Sequence, residues 1–63
     1  MRLRQLIVDD TALYRKILSD AAAQVPDLEV VAAVASGPIA LGRLAAGPVD
    51  LVLLDVFMPI MGA

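Results

Sequence analysis

Apolar residues fall into three short runs and two helical stripes along this chain. Leu3 to Val8 closes on Leu6-Ile7-Val8, Leu28 to Val34 is rich in β-branched valine, and Leu51 to Leu54 is uninterrupted. Runs of this length predict three strands, the last of them buried on both faces. Between the first two, Leu13, Ile17 and Ala21 recur at helical spacing, which predicts a helix from about Ala12 to about Gln24. Tyr14, Leu18 and Val25 extend its apolar face, and Arg15, Lys16, Ser19 and Asp20 fall largely on the other side. A second helix is expected over about Pro38 to Ala46, where Ile39, Leu41 and Leu44 or Ala45 supply the apolar surface.

The punctuation between these elements supports the same division. Thr11 is placed to cap the first helix with its hydroxyl, and Pro26-Asp27 ends that helix. Ala35-Ser36-Gly37 reads as a turn. Pro38 suits a first helical position, where its missing N–H costs nothing. Gly42 inside the second helix costs about 1 kcal/mol relative to alanine. Gly47 is a natural stop, with Pro48 after it. The element order is therefore β-α-β-α-β. Connections of this length favour parallel strands joined by right-handed crossovers. With the first strand central, the sheet order is 2-1-3, an α/β half-fold of the truncated flavodoxin-like kind. Ligands in such sheets bind beyond the carboxyl ends of the strands, where the strand order reverses.

Composition narrows the picture. Sixty-three residues allow one domain, spanning 1–63, and a chain this short is marginal in isolation. Yet 60% of its residues are hydrophobic and 19% charged. Either the core is dense or apolar surface is covered by another chain. Without cysteine there are no disulfides or thiolate metal sites, and without histidine the commonest general base and zinc ligand are missing. A net charge of −2 with no basic cluster argues against direct nucleic-acid binding. The apolar runs fall far short of the ~20 residues that cross a bilayer, so no membrane insertion and a cytoplasmic location are expected.

The chemistry lies at two strand ends. The first apolar run stops at Asp9-Asp10 and the third at Asp55, shortly before Pro59. In a 2-1-3 sheet these carboxylates gather at one edge. Close carboxylates repel unless a cation joins them, and oxygen-only ligation favours Mg²⁺, which takes one or two carboxylates and keeps water or phosphate oxygens. A carboxylate left partly free can attack phosphorus and form an aspartyl phosphate. Asp55, alone on its strand, is the nucleophile candidate. Asp10 would hold the metal directly, and Asp9 directly or through water. The plainer alternative is that these are solvated loop residues. Thr11 is read as a cap and Lys16 as a solvated helix residue.

Val8-Asp9-Asp10-Thr11-Ala12-Leu13, Leu53-Leu54-Asp55-Val56-Phe57-Met58-Pro59 and the spacing between them resemble the response-regulator receiver domain of two-component signalling. Ala12-Leu13-Tyr14-Arg15-Lys16 and Pro26-Asp27-Leu28-Glu29-Val30-Val31 are most similar to the receiver of the chemotaxis methylesterase regulators. The resemblance implies Asp55 as phosphoacceptor and also a Mg²⁺ ligand, Asp10 as Mg²⁺ ligand with Asp9 assisting, the backbone carbonyl of Phe57 as a further ligand, and a histidine kinase as phosphodonor. It implies a parent protein-glutamate methylesterase rather than enzyme activity in this segment itself. Only the amino-terminal part of a receiver is matched. The family's switch Ser or Thr and its Lys, which follow later strands, have no counterpart, and Lys16 is not that lysine. Gly62-Ala63 replaces the usual Asp-Gly after the Met-Pro segment, and Ile39 stands where an acidic residue is common. Efficient phosphorylation is accordingly expected to be impaired.

A different class of function remains open: a self-associating structural half-domain whose acidic pocket is unused. With no strand beside it, the third strand is an open edge, and homo-oligomers about a two-fold axis are expected through it. An aspartyl phosphohydrolase ranks lower because Phe57 occupies the place of its second Asp. A dinucleotide-binding unit ranks lower too, because no G-x-G-x-x-G follows the first strand.

Overall fold

The computed structural model describes residues 2–54. The elements are β1 (Leu3–Val8), α1 (Ala12–Ala22), β2 (Leu28–Val34), α2 (Gly37–Ala46) and β3 (Leu51–Leu54). Both ladders are parallel and the sheet order is β2-β1-β3, as the pattern of runs predicts. The central strand is the most apolar place in the fold. Leu6, Ile7 and Val8 are 1% exposed or less.

Register fixes which residues share a face. Gln5 to Val8 of β1 pair with Leu51 to Leu54 without interruption. The β1–β2 ladder shifts by one between Gln5, opposite Val30, and Leu6, opposite Ala32, so Val31 has no cross-strand partner. That extra residue resets the alternation of β2. Ala32 and Val34 then lie with Leu6 and Val8, in one cluster with Ala40 of α2 and Val49. Ile7 alternates to the other face and is fully buried there. The helix packed on β1 and β2 from that side is α1.

The ends of the elements follow local chemistry, with some differences from expectation. Ser36, read as part of a turn, is the N-cap of α2, and its Oγ accepts from Ile39 N–H at 3.4 Å. Pro38 lies in the first turn as expected. Gly47 ends α2, but in an extended conformation rather than the left-handed one of a glycine stop. Helix α1 ends at Ala22, two residues early, because its last turn tightens: Gln24 N–H donates to Ala21 O and Val25 N–H to Ala22 O. Pro26 disfavours helical geometry in the residue before it.

The faces of the helices are where the pattern misleads. Leu13, Tyr14, Ile17 and Val25 are all exposed, and so are Ile39, Leu41 and Leu44. The buried helical residues are small: Ala22 in α1, Gly37 and Ala40 in α2. Arg15 and Ser19, expected on the outer side, are half-buried beside Leu18 and in line with Ala22. The inward stripe of α1 is therefore rotated from the one that apolar content selects. Strand β3 was expected to be buried on both faces. It is only half-covered, with Val52, Leu53 and Leu54 exposed by 45, 39 and 42%.

Candidate functional site

The site is built on the turn from β1 into α1. Asp9 prolongs the ladder, its N–H donating to Val34 O at 3.0 Å. The residue is 5% exposed, and its Oδ1 accepts from Thr11 N–H at 2.8 Å, which folds the turn back on itself. A buried carboxylate is costly unless hydrogen-bonded. The Thr11 amide meets that need, and the positive end of α1 begins immediately beyond it. The Asp9 carbonyl accepts from Nη1 of Arg15 at 2.8 Å.

Asp10 is exposed, and its Oδ1 accepts from the Thr11 hydroxyl at 3.3 Å. Thr11 does occupy the N-cap position, with φ −100° and ψ 117°, but makes no side-chain cap bond. Its hydroxyl turns to Asp10 instead of to the helix, which corrects the expected cap. Lys16 stands as expected, solvated and paired with Asp20 at 2.9 Å, and Tyr14 is exposed rather than packed.

Asp9 and Asp10 thus sit together at the carboxyl end of the central strand. Asp55 and Phe57 lie outside the described residues. Among the described residues, no group of three or more His, Cys, Asp or Glu side chains comes together. The pair present still suits a hard cation. One carboxylate is exposed, the other spends a single oxygen on Thr11, and all donors are oxygen. Mg²⁺ asks for no more than one or two carboxylates and completes its octahedron with water or phosphate. Asp10 would be its exposed ligand and Asp9 the inner one. Sequence reasoning missed Arg15, whose charge suggested a solvated position, and no periodic signal marks its bond to the Asp9 carbonyl.

Comparison with known proteins gives the same direction. The sequence model of the response regulator receiver domain matches residues 6–62. The protein-glutamate methylesterase/protein-glutamine glutaminase of Desulfotalea psychrophila is 48% identical over 59 residues, covering 94% of this chain and 16% of that protein. That of Methanosarcina barkeri is 43% identical over 60 residues, covering 95% of this chain and 16% of that protein. This chain therefore spans about a sixth of the length of these curated relatives. Among solved structures, a chain in the crystal structure of the P1 domain of CheA3 in complex with CheY6 from R. sphaeroides superposes with a TM-score of 0.89. It is 46% identical, covering 95% of this chain and 47% of that one. Among the described residues, no helix is long and apolar enough to cross a membrane. The aspartate-tipped central strand, the β2-β1-β3 sheet and these matches have one explanation: the chain belongs to the response regulator receiver domain family.

Proposed function

We propose that this chain is a phosphoacceptor module of chemotaxis-type two-component signalling and works in the cytoplasm. Asp55 takes a phosphoryl group from the phosphohistidine of a histidine kinase. The observation that carries this reading is the placement of Asp9 and Asp10 at the end of β1, level with the end of β3. Val8 pairs with Leu54, and Asp55 is the next residue in the sequence. An Asp55 carboxylate oxygen forms the new bond to phosphorus while the P–N bond breaks, its electron pair returning to the kinase imidazole. Asp10, assisted by Asp9 and the Phe57 carbonyl, would hold Mg²⁺, whose charge would offset the repulsion between carboxylate and phosphate. The crystal structure of the similar chain concerns a complex with a P1 domain of CheA3, which supports a kinase of that kind as partner. The similarity to methylesterases supports a role as the receiver segment of such a protein.

The test is incubation with acetyl phosphate or phosphoramidate and Mg²⁺, read by intact mass. The expected result is slow and partial gain of one phosphoryl group, abolished by Asp55→Asn and by chelation. No gain with either donor overturns the reading.

A second reading has its own observation. β3 pairs on one side only among the described residues, and three of its four side chains are exposed. An apolar edge of this kind recruits another strand. We infer that copies of this chain self-associate through β3. Sedimentation at micromolar concentration is expected to show dimers or larger species, and a stable monomer overturns it.

A further inference from the structure

We propose that Arg15 is a positioning residue for the Asp9–Asp10 pair, a role that rests on the reading of that pair as a Mg²⁺ site. Arg15 is half-buried, whereas Tyr14 and Lys16 on either side of it are exposed. Ordering so long a side chain costs rotamer freedom, so its fixed contact requires a return. The contact is specific: Nη1 donates to the backbone oxygen of Asp9 at 2.8 Å. The backbone N–H of the same residue donates to Thr11 O at 3.0 Å. The second bond is the ordinary backbone bond of the first helical turn, so the guanidinium is what ties α1 back to the end of β1.

The oxygen it holds belongs to the peptide joining Asp9 to Asp10. That unit is planar, so fixing its oxygen fixes the plane from which Asp10 departs. Among the described residues, the Asp10 side chain hydrogen-bonds only to the neighbouring Thr11 hydroxyl, at 3.3 Å. Asp9, by contrast, is held through its N–H by Val34 and through its carboxylate by Thr11. Among the described residues, Arg15 adds a further restraint, and it acts on Asp10 through the backbone.

Charge and geometry make opposite forecasts. A guanidinium beside a cation site repels the cation, so on Coulombic grounds removing it tightens binding. If the arginine positions the ligands, removing it weakens binding. The experiment titrates Mg²⁺ into the parent chain, Arg15→Met and Arg15→Lys. Amide exchange is followed in the metal-free proteins, with protection of Ile7 as the check that β1 is intact. Arg15→Met is expected to weaken Mg²⁺ binding about tenfold, the low end for losing an outer partner of a metal ligand. It is also expected to speed exchange of the Thr11 amide, while Arg15→Lys recovers part of both. Unchanged or tighter Mg²⁺ binding, or unchanged Thr11 protection, overturns the proposal. If the parent chain binds no Mg²⁺, it is the reading of the aspartate pair that fails, and Thr11 exchange alone then decides the role of Arg15.

Discussion

Arg4 and Asp50 close the entrance to the β1–β3 pair reciprocally. The Arg4 N–H donates to Asp50 Oδ2 at 2.7 Å, and the Asp50 N–H donates to Arg4 O at 2.8 Å. The Arg4 side chain adds a bond from Nε to Pro48 O at 2.9 Å. β3 is only four residues long, so its attachment depends heavily on this end. Asp50→Ala is expected to destabilise the fold by about 1 kcal/mol, the worth of one net hydrogen bond. Urea denaturation of the two chains side by side measures it.

Gln5 is 6% exposed in the middle of β1, and its Oε1 has no hydrogen-bond partner among the described residues. An orphaned buried acceptor costs about 1–3 kcal/mol. Gln5→Leu, close in volume and without the amide, should raise the denaturation midpoint by an amount equivalent to roughly 1 kcal/mol. A fall in stability would mean that the amide has a partner in solution.

Gly42 sits mid-helix in α2 with nothing within 4 Å of where a Cβ would stand. Gly42→Ala should therefore add about 0.5–1 kcal/mol, through helix propensity and a less flexible unfolded chain. In a domain of this size that corresponds to a rise of about 4–8 °C in Tm per kcal/mol, readable by circular dichroism.

Asp10 and Asp9 should respond differently to the same change. Asp10→Asn leaves the turn intact, since the side chain is exposed and, among the described residues, makes one long hydrogen bond. It should abolish Mg²⁺ binding with less than about 0.5 kcal/mol lost in stability, as for surface changes generally. Asp9→Ala removes the acceptor of Thr11 N–H from a buried position. It should lower both metal affinity and stability, the latter by about 1–3 kcal/mol. Paired calorimetric titration and thermal denaturation separate the two.

Much of the backbone was legible in the residues, because it depends on coarse signals. Short, mostly apolar runs gave all three strands within a residue of their bounds, and Pro26, Pro38 and Gly47 marked the breaks between elements. The acidic strand end was legible for a similar reason, as Asp9 and Asp10 follow directly on a fully buried run. What could not be read was the rotation of each helix. Apolar periodicity chose Leu13 and Ile17 as the inward stripe of α1, but side chains there are large, and close packing on the sheet is made through Ala22. The bulge at Val31 left no trace in composition, since valine fits either side of the slip. The Arg15–Asp9 bond was hidden for a related reason: an arginine counts as polar in any pattern, whatever its guanidinium reaches.

The way the helices rest on the sheet has a consequence for how the molecule comes apart. The fully buried residues of each helix are few and small, Ala22 in one and Gly37 with Ala40 in the other, while Leu6, Ile7 and Val8 of β1 are shut away from solvent. Seating of that kind gives little leverage against thermal agitation. Warming should loosen the outer turns of both helices well before the middle strand lets go, so the chain melts from its rim inward.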